Sequence, residues 1–107
     1  MKSLKFAPDL VPLVKNGSKT STFRLFDDKN LQVGEIVEFI QRPELTVFAK
    51  AEIVEVTKKP FGNMTKKDME GHEKYSSKKE MYDTYTSYYS KKVNDDTEIT
   101  IYRFKLL

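Results

Sequence analysis

A lysine, a threonine and an arginine stand close together in the segment Gly17-Ser18-Lys19-Thr20-Ser21-Thr22-Phe23-Arg24. A threonine hydroxyl is inert at its own pKa, but a neighbouring lysine whose pKa is lowered by burial towards ~7 to 8 can activate it for attack on an acyl carbon. Strand periodicity puts Thr20, Thr22 and Arg24 on one face, with Lys19 at the entry. Taken bare, the segment also fits a solvated polar strand. His72 is the only histidine. Glu70 and Glu73 flank it, but neighbours in sequence point apart, so no metal site is expected and His72 reads as an incidental surface or helix-end residue. Residues 74–92 interleave lysines with tyrosines, a pattern that suits contact with single-stranded RNA through phosphates and stacked bases. The same tyrosines recur at helical intervals, which equally suits a helix covering a barrel.

The elements that must position these residues follow from periodicity and punctuation. Residues 2–7 alternate as a first strand running into Pro8. A helix of two turns at most follows, with Asp9 as N-cap, Pro12 in the first turn and Gly17 as a left-handed stop; Leu10, Leu13 and Val14 face inward. Ser21 to Phe26 has strand bias and turns at the polar cluster 27–30. Ile36 to Gln41 is a strand stopped near Pro43. Thr46 to Thr57 places Val47, Ala49, Ala51 and Ile53 on one face, then shifts phase so that Val54 and Val56 join the apolar side, the signature of a bulge. Residues 64–89 read as helical with an interruption at Gly71. Ser77 caps the second part, with Glu80 three residues on, and Met81, Tyr85 and Tyr88 or Tyr89 form its stripe. A polar loop over 90–96 leads to a last strand over 97–107. This order lacks βαβ regularity, so the expected class is α+β: a small mixed β-barrel of about five to six strands, flanked by a short N-terminal helix and a helical insertion before the last strand.

Length and composition agree with one domain over residues 1–107. The chain has 107 residues, no cysteine, a net charge of +3 and a pI near 9.0. That size can bury a core without staples, and the lack of cysteine excludes a disulfide scaffold, thiolate zinc sites and a cysteine nucleophile. The mild basic bias tolerates polyanions without demanding them. No signal-peptide run or membrane-length apolar stretch is present, so a soluble, cytoplasmic protein without membrane partners is expected, with a monomer favoured.

The Gly17 to Arg24 segment, followed by Leu31-Gln32-Val33-Gly34-Glu35 and a strand, resembles the ASCH domain family, whose members carry Gly-x-Lys-x-x-x-x-Arg and then a Val-Gly-acidic turn. Leu4-Lys5-Phe6, Asp68-Met69-Glu70-Gly71, Ser77, Glu80, the Tyr88-Tyr89 pair and the closing Phe104-Lys105-Leu106 fall in the matching order, so the resemblance covers nearly the whole chain. It implies a PUA-like fold with a cleft for RNA or nucleoside-type ligands. A small stand-alone subgroup consists of N4-acetylcytidine amidohydrolases that use Lys, Thr and Glu together. Carried over by position, Lys19 and Thr22 match the lysine and threonine. For the acid, counting back from Tyr89 through Met81 gives Glu73, counting forward from Met64 and Thr65 lands on His72, and Glu70 lies close enough to compete. The resemblance thus implies catalytic Lys19, Thr22 and Glu73, substrate contacts at Thr20, Arg24, Glu70 and Tyr89, and no metal or cofactor. The expected function is removal of an acyl group from a modified nucleoside such as N4-acetylcytidine. The alternative is a non-catalytic RNA-binding module using the same basic cleft.

Overall fold

The computed structural model describes residues 1–72 and 74–107. Among the described residues five strands form one sheet: β1 (Ser3–Phe6), β2 (Ser21–Leu25), β3 (Ile36–Gln41), β4 (Thr46–Pro60) and β5 (Glu98–Leu106). Their spatial order is β1-β3-β4-β5-β2, with β1 parallel to β3 and every other pair antiparallel. Although β1 and β2 occupy opposite ends of that order, Arg24 Nη2 on β2 donates to the Lys5 carbonyl on β1 at 2.9 Å. The sheet is therefore curled into a half-barrel whose two edges meet at a seam bridged by a side chain.

The phase shift read in the long strand is a bulge. The pairing of β4 with β5 slips between Ile53 and Glu55, leaving Val54 outside the ladder and exposed, while Val56 packs against the core. A second slip at Phe39/Ile40 leaves Phe48 as the extra residue, and Val47, expected inside, is exposed. Each bulge increases local bend and twist, which lets one 15-residue strand pair with β3 at one end and β5 at the other.

Two helices flank the sheet. Helix α1 (Val11–Lys15) follows a 3₁₀ turn at Pro8–Leu10, and Asp9 lies inside that turn instead of capping the helix. Gly17, at φ +84°, ends it, and the Lys19 N–H returns to the Leu13 carbonyl at 3.0 Å. Helix α2 (Lys78–Tyr89) starts where expected, with the Ser77 hydroxyl accepting the Glu80 N–H at 3.1 Å. Among the described residues no helix is long and apolar enough to cross a membrane.

The expected helix before Gly71 is largely absent. Only a 3₁₀ turn at Lys67–Met69 forms, because the Asp68 carboxylate closes it locally by accepting the Thr65 N–H at 2.8 Å and Lys59 Nζ at 2.6 Å. The carbonyls that a helix would use internally are taken elsewhere. Arg103 binds those of Lys67 and Glu70 at 2.6 and 2.8 Å, and the Gly71 carbonyl accepts the N–H groups of Thr20 and Ser21 at 2.8 and 3.2 Å. Residues 64–72 thus form a strap docked across the start of β2.

Alternation along β5 and β2 separates two cores. Tyr102 and Phe104 join Leu4, Phe6, Val37, Phe39, Ala51 and Ile53 inside the half-barrel. Ile99 and Ile101 with Phe23 and Leu25 face the other way and are covered by Met81 and Tyr85 of α2. This double coverage makes β2 buried along most of its length, unlike a polar strand with one wet face.

Candidate functional site

A cleft of about 140 Å³ opens at the seam, lined on the β1 side by Lys5, Phe6 and Ala7 and on the β2 side by Lys19, Thr22, Phe23 and Arg24. Leu10, Arg42 following β3, and His72, Tyr85, Tyr88 and Tyr89 complete its wall. The half-barrel curl places the two edges opposite one another, and the α1-to-β2 turn delivers Lys19 to the inner end.

Lys19 and Thr22 are 2% and 4% exposed, yet both border the cleft. Arg24 crosses the seam. Its guanidinium lies 5.2 Å from the centroid of the Phe6 ring, one terminal nitrogen is held by the Lys5 carbonyl, and its buried Nε has no hydrogen-bond partner among the described residues. Tyr89 is fixed from behind, its hydroxyl accepting the Leu25 N–H at 3.1 Å. The described ionisable residues of the lining other than His72 and the tyrosines, Lys5, Lys19, Arg24 and Arg42, are all basic.

Of the residues singled out in the sequence, Lys19, Thr22, Arg24 and Tyr89 come together here. Thr20 and Glu70 do not line the cleft. Thr20 is exposed and abuts Gly71, while the Glu70 carbonyl is engaged by Arg103 and, at 3.4 Å, by the Ser21 hydroxyl. Glu73 lies outside the described residues.

His72 corrects the expectation of a surface histidine. It is 7% exposed, its ring stacks on Phe23 with centroids 3.7 Å apart and planes 11° from parallel, and Nε2 lies 3.3 Å from the Tyr85 hydroxyl. The strap carries it there, since Gly71 at φ +75° turns the chain directly against Thr20. Lys5 and Arg42 were also missed, because each comes from a different strand edge and no local spacing joins them. Among the described residues no group of three histidine, aspartate or glutamate side chains is placed to hold a metal ion. The aromatic walls can stack a flat heterocycle, and the cations can attract an anionic or electron-rich group.

The model of the ASCH domain family matches residues 2–107. Among solved structures, an ASCH domain from Lactobacillus crispatus is similar at 16% identity, with a TM-score of 0.67 over 89% of this chain and 68% of that one. A protein from Enterococcus faecalis is similar at 13% identity and TM-score 0.76, covering 100% of this chain and 76% of that one. ASCH from Zymomonas mobilis is similar at 14% identity and TM-score 0.66, covering 96% of this chain and 65% of that one. At such identities the likeness is one of fold. No curated protein matches in sequence.

Proposed function

This chain belongs to the ASCH domain family, and we propose that its cleft removes an acyl group from a modified nucleoside such as N4-acetylcytidine. The observation that supports this reading is the shared position of Lys19 and Thr22, an amine and a hydroxyl almost wholly buried yet bordering one cleft. Polar side chains are seldom placed so without a task or a partner.

In the proposed reaction Thr22 Oγ attacks the acetyl carbon while Lys19 Nζ, in its neutral form, takes the hydroxyl proton. The bond from the acyl carbon to the exocyclic nitrogen breaks, and the Lys19 ammonium gives its proton to the departing amine. Water then attacks the Thr22 ester with Lys19 again as base, releasing acetate and restoring the hydroxyl. Glu73 is the candidate to orient Lys19. The rings of Phe23, His72 and Tyr89 would hold the heterocycle, and Arg24 its carbonyl.

The test is incubation with N4-acetylcytidine while cytidine release is followed by chromatography. Lys19→Ala and Thr22→Ala, shown to be folded by circular dichroism, should each lose about 10² to 10⁴ in rate. Undiminished turnover by Thr22→Ala rejects the mechanism. A second reading, a non-catalytic nucleic-acid-binding module, is favoured by the cationic mouth of the cleft. It predicts no cytidine release and binding that weakens steeply with salt.

A further inference from the structure

Of the three cations at the mouth of the cleft, Lys5, Arg24 and Arg42, two stand apart from the proposed chemistry. Lys5 and Arg42 have side chains with no ion pair or hydrogen bond among the described residues, and the reaction above uses neither. Both are exposed. Their placement is nonetheless specific, because β1 acts as their common mount. Lys5 is on β1 itself, the Lys5 carbonyl holds Arg24 Nη2 at 2.9 Å, and the Phe6 carbonyl holds the Arg42 backbone N–H at 3.0 Å.

The cleft adjoins two shallower depressions, and the cations sit where they meet. Lys5 borders all three; Arg24 is shared with the depression beside Phe26, Asp27 and Asp28, and Arg42 with the one beside Pro43 and Leu45. Arg24 engages the Lys5 carbonyl through one terminal nitrogen, and a guanidinium carries further N–H donors that can meet a second acceptor. Guanidinium groups with an ammonium at hand suit a phosphate, whose oxygens accept several charge-assisted hydrogen bonds.

We propose that Lys5, Arg24 and Arg42 form a phosphate subsite at the mouth of the cleft, so that the ligand is a phosphate ester of a nucleoside and not the free nucleoside. This rests on the reading of the cleft as a nucleoside site. The ester comes from a mononucleotide or from a single-stranded nucleic acid, and both present the same phosphate beside the base.

The experiment is titration calorimetry at low salt with cytidine, cytidine monophosphate and the trinucleotide tricytidylate, on wild type, Lys5→Ala, Arg42→Ala and Lys105→Ala. Lys105 is exposed and borders none of these three depressions, so its variant reports diffuse charge. Cytidine monophosphate should bind about tenfold more tightly than cytidine. Arg42→Ala and Lys5→Ala should remove most of that preference and leave cytidine binding unchanged; Lys105→Ala should keep it. Tricytidylate binding more tightly than the monophosphate identifies a strand as the source, and equal binding identifies a mononucleotide; either supports the subsite. Equal affinity for cytidine and its monophosphate overturns it, as does no binding of any probe, or a loss in Lys105→Ala as large as in Arg42→Ala. Thr22→Ala, unable to hydrolyse, should retain the phosphate preference. A wild type that binds the monophosphate preferentially but hydrolyses nothing would therefore refute the proposed hydrolase and leave the subsite standing, and the reverse result would do the opposite.

Discussion

The two sides of β5 are held together differently. On the Tyr102 side, β1, β3 and β4 enclose an apolar core tied to the adjoining loop by the Tyr102 hydroxyl, which donates to Asp27 at 2.5 Å and accepts the Leu31 N–H at 3.1 Å. On the Ile101 side, β2 is covered by α2 and the strap, where Ser21 and His72 are buried, while Thr22, paired with Tyr102, faces the other way and meets the buried Lys19 at the seam cleft. The first side follows from alternation alone. The second depends on backbone hydrogen bonds between segments about fifty residues apart, as from Thr20 and Ser21 to Gly71. Regular strands build the frame, and the irregular strap completes the cleft wall by bringing His72 to it.

The sharpest way to break the comparison is Gly71→Ala. A β-carbon there would lie 1.9 Å from Thr20 Oγ1, and φ is +75°, so both a clash and backbone strain arise. The expected loss is about 2–3 kcal/mol, a fall in Tm of roughly 10 °C or more for a domain of this size. Thr20→Ala combined with Gly71→Ala should recover part of it by removing the hydroxyl. On the other side Gly34, at φ +91°, faces open space. Gly34→Ala should lose only about 1 kcal/mol. Equal losses at the two glycines, read by thermal denaturation, would show that the strap is not held by its contact with Thr20.

Tyr102→Phe tests the apolar side next. It removes a hydroxyl from a fully buried ring and leaves the buried Leu31 N–H without its acceptor, for an expected loss of about 1–2 kcal/mol. Burial, and then the bond to Asp27, push the Tyr102 phenol well above its ordinary value, so the tie should persist through mildly alkaline conditions. A different alkaline signal comes from Tyr82, raised to about 12 by burial and by its bond to Asp95. The unfolded chain would deprotonate at about pH 10, so this contribution is present below that value and lost as pH rises towards about 12. Tyr82→Phe should flatten the decline in Tm over that window; an identical decline in both proteins would remove Tyr82 as its source.

Legibility in the sequence tracks the same division. The strands, the β4 bulge and the Ser77 cap were readable because each depends on period-2 alternation or on residues three apart. Lys19, Thr22 and Arg24 were readable because they share one short segment, and Tyr89 because the family pattern includes it. His72 was not, since a lone histidine carries no local sign that a strap will stack it on Phe23. The strap reads as helix because its composition permits one. What decides otherwise is distant: Arg103 and the start of β2 take the carbonyls that a helix would use. Gly71 between Glu70 and His72 was the available signal, and it marked the break without revealing what docks there.

The smallest expected effect is at Asp68, which closes the turn within the strap. Its burial raises the carboxyl pKa, but hydrogen bonds from Lys59 and from the Thr65 N–H and hydroxyl outweigh this and leave it below 3.8. A carboxylate lowered in the folded state contributes stability above its unfolded pKa and loses it as pH falls through the folded value. Asp68→Asn should therefore cost about 0.5–1 kcal/mol near neutrality, and the gap from wild type should start to close only as pH falls below ~4 and shrink further as it passes through the lower folded value. If the gap in Tm stays constant across that range, the turn is held by shape and not by the ionised carboxylate. If it closes, and phosphate-independent binding of cytidine weakens alongside it in the variant, the turn is coupled to the cleft through the short run from Asp68 to His72, and the Lys59–Asp68 pair then helps to set the cleft wall as well as the strap.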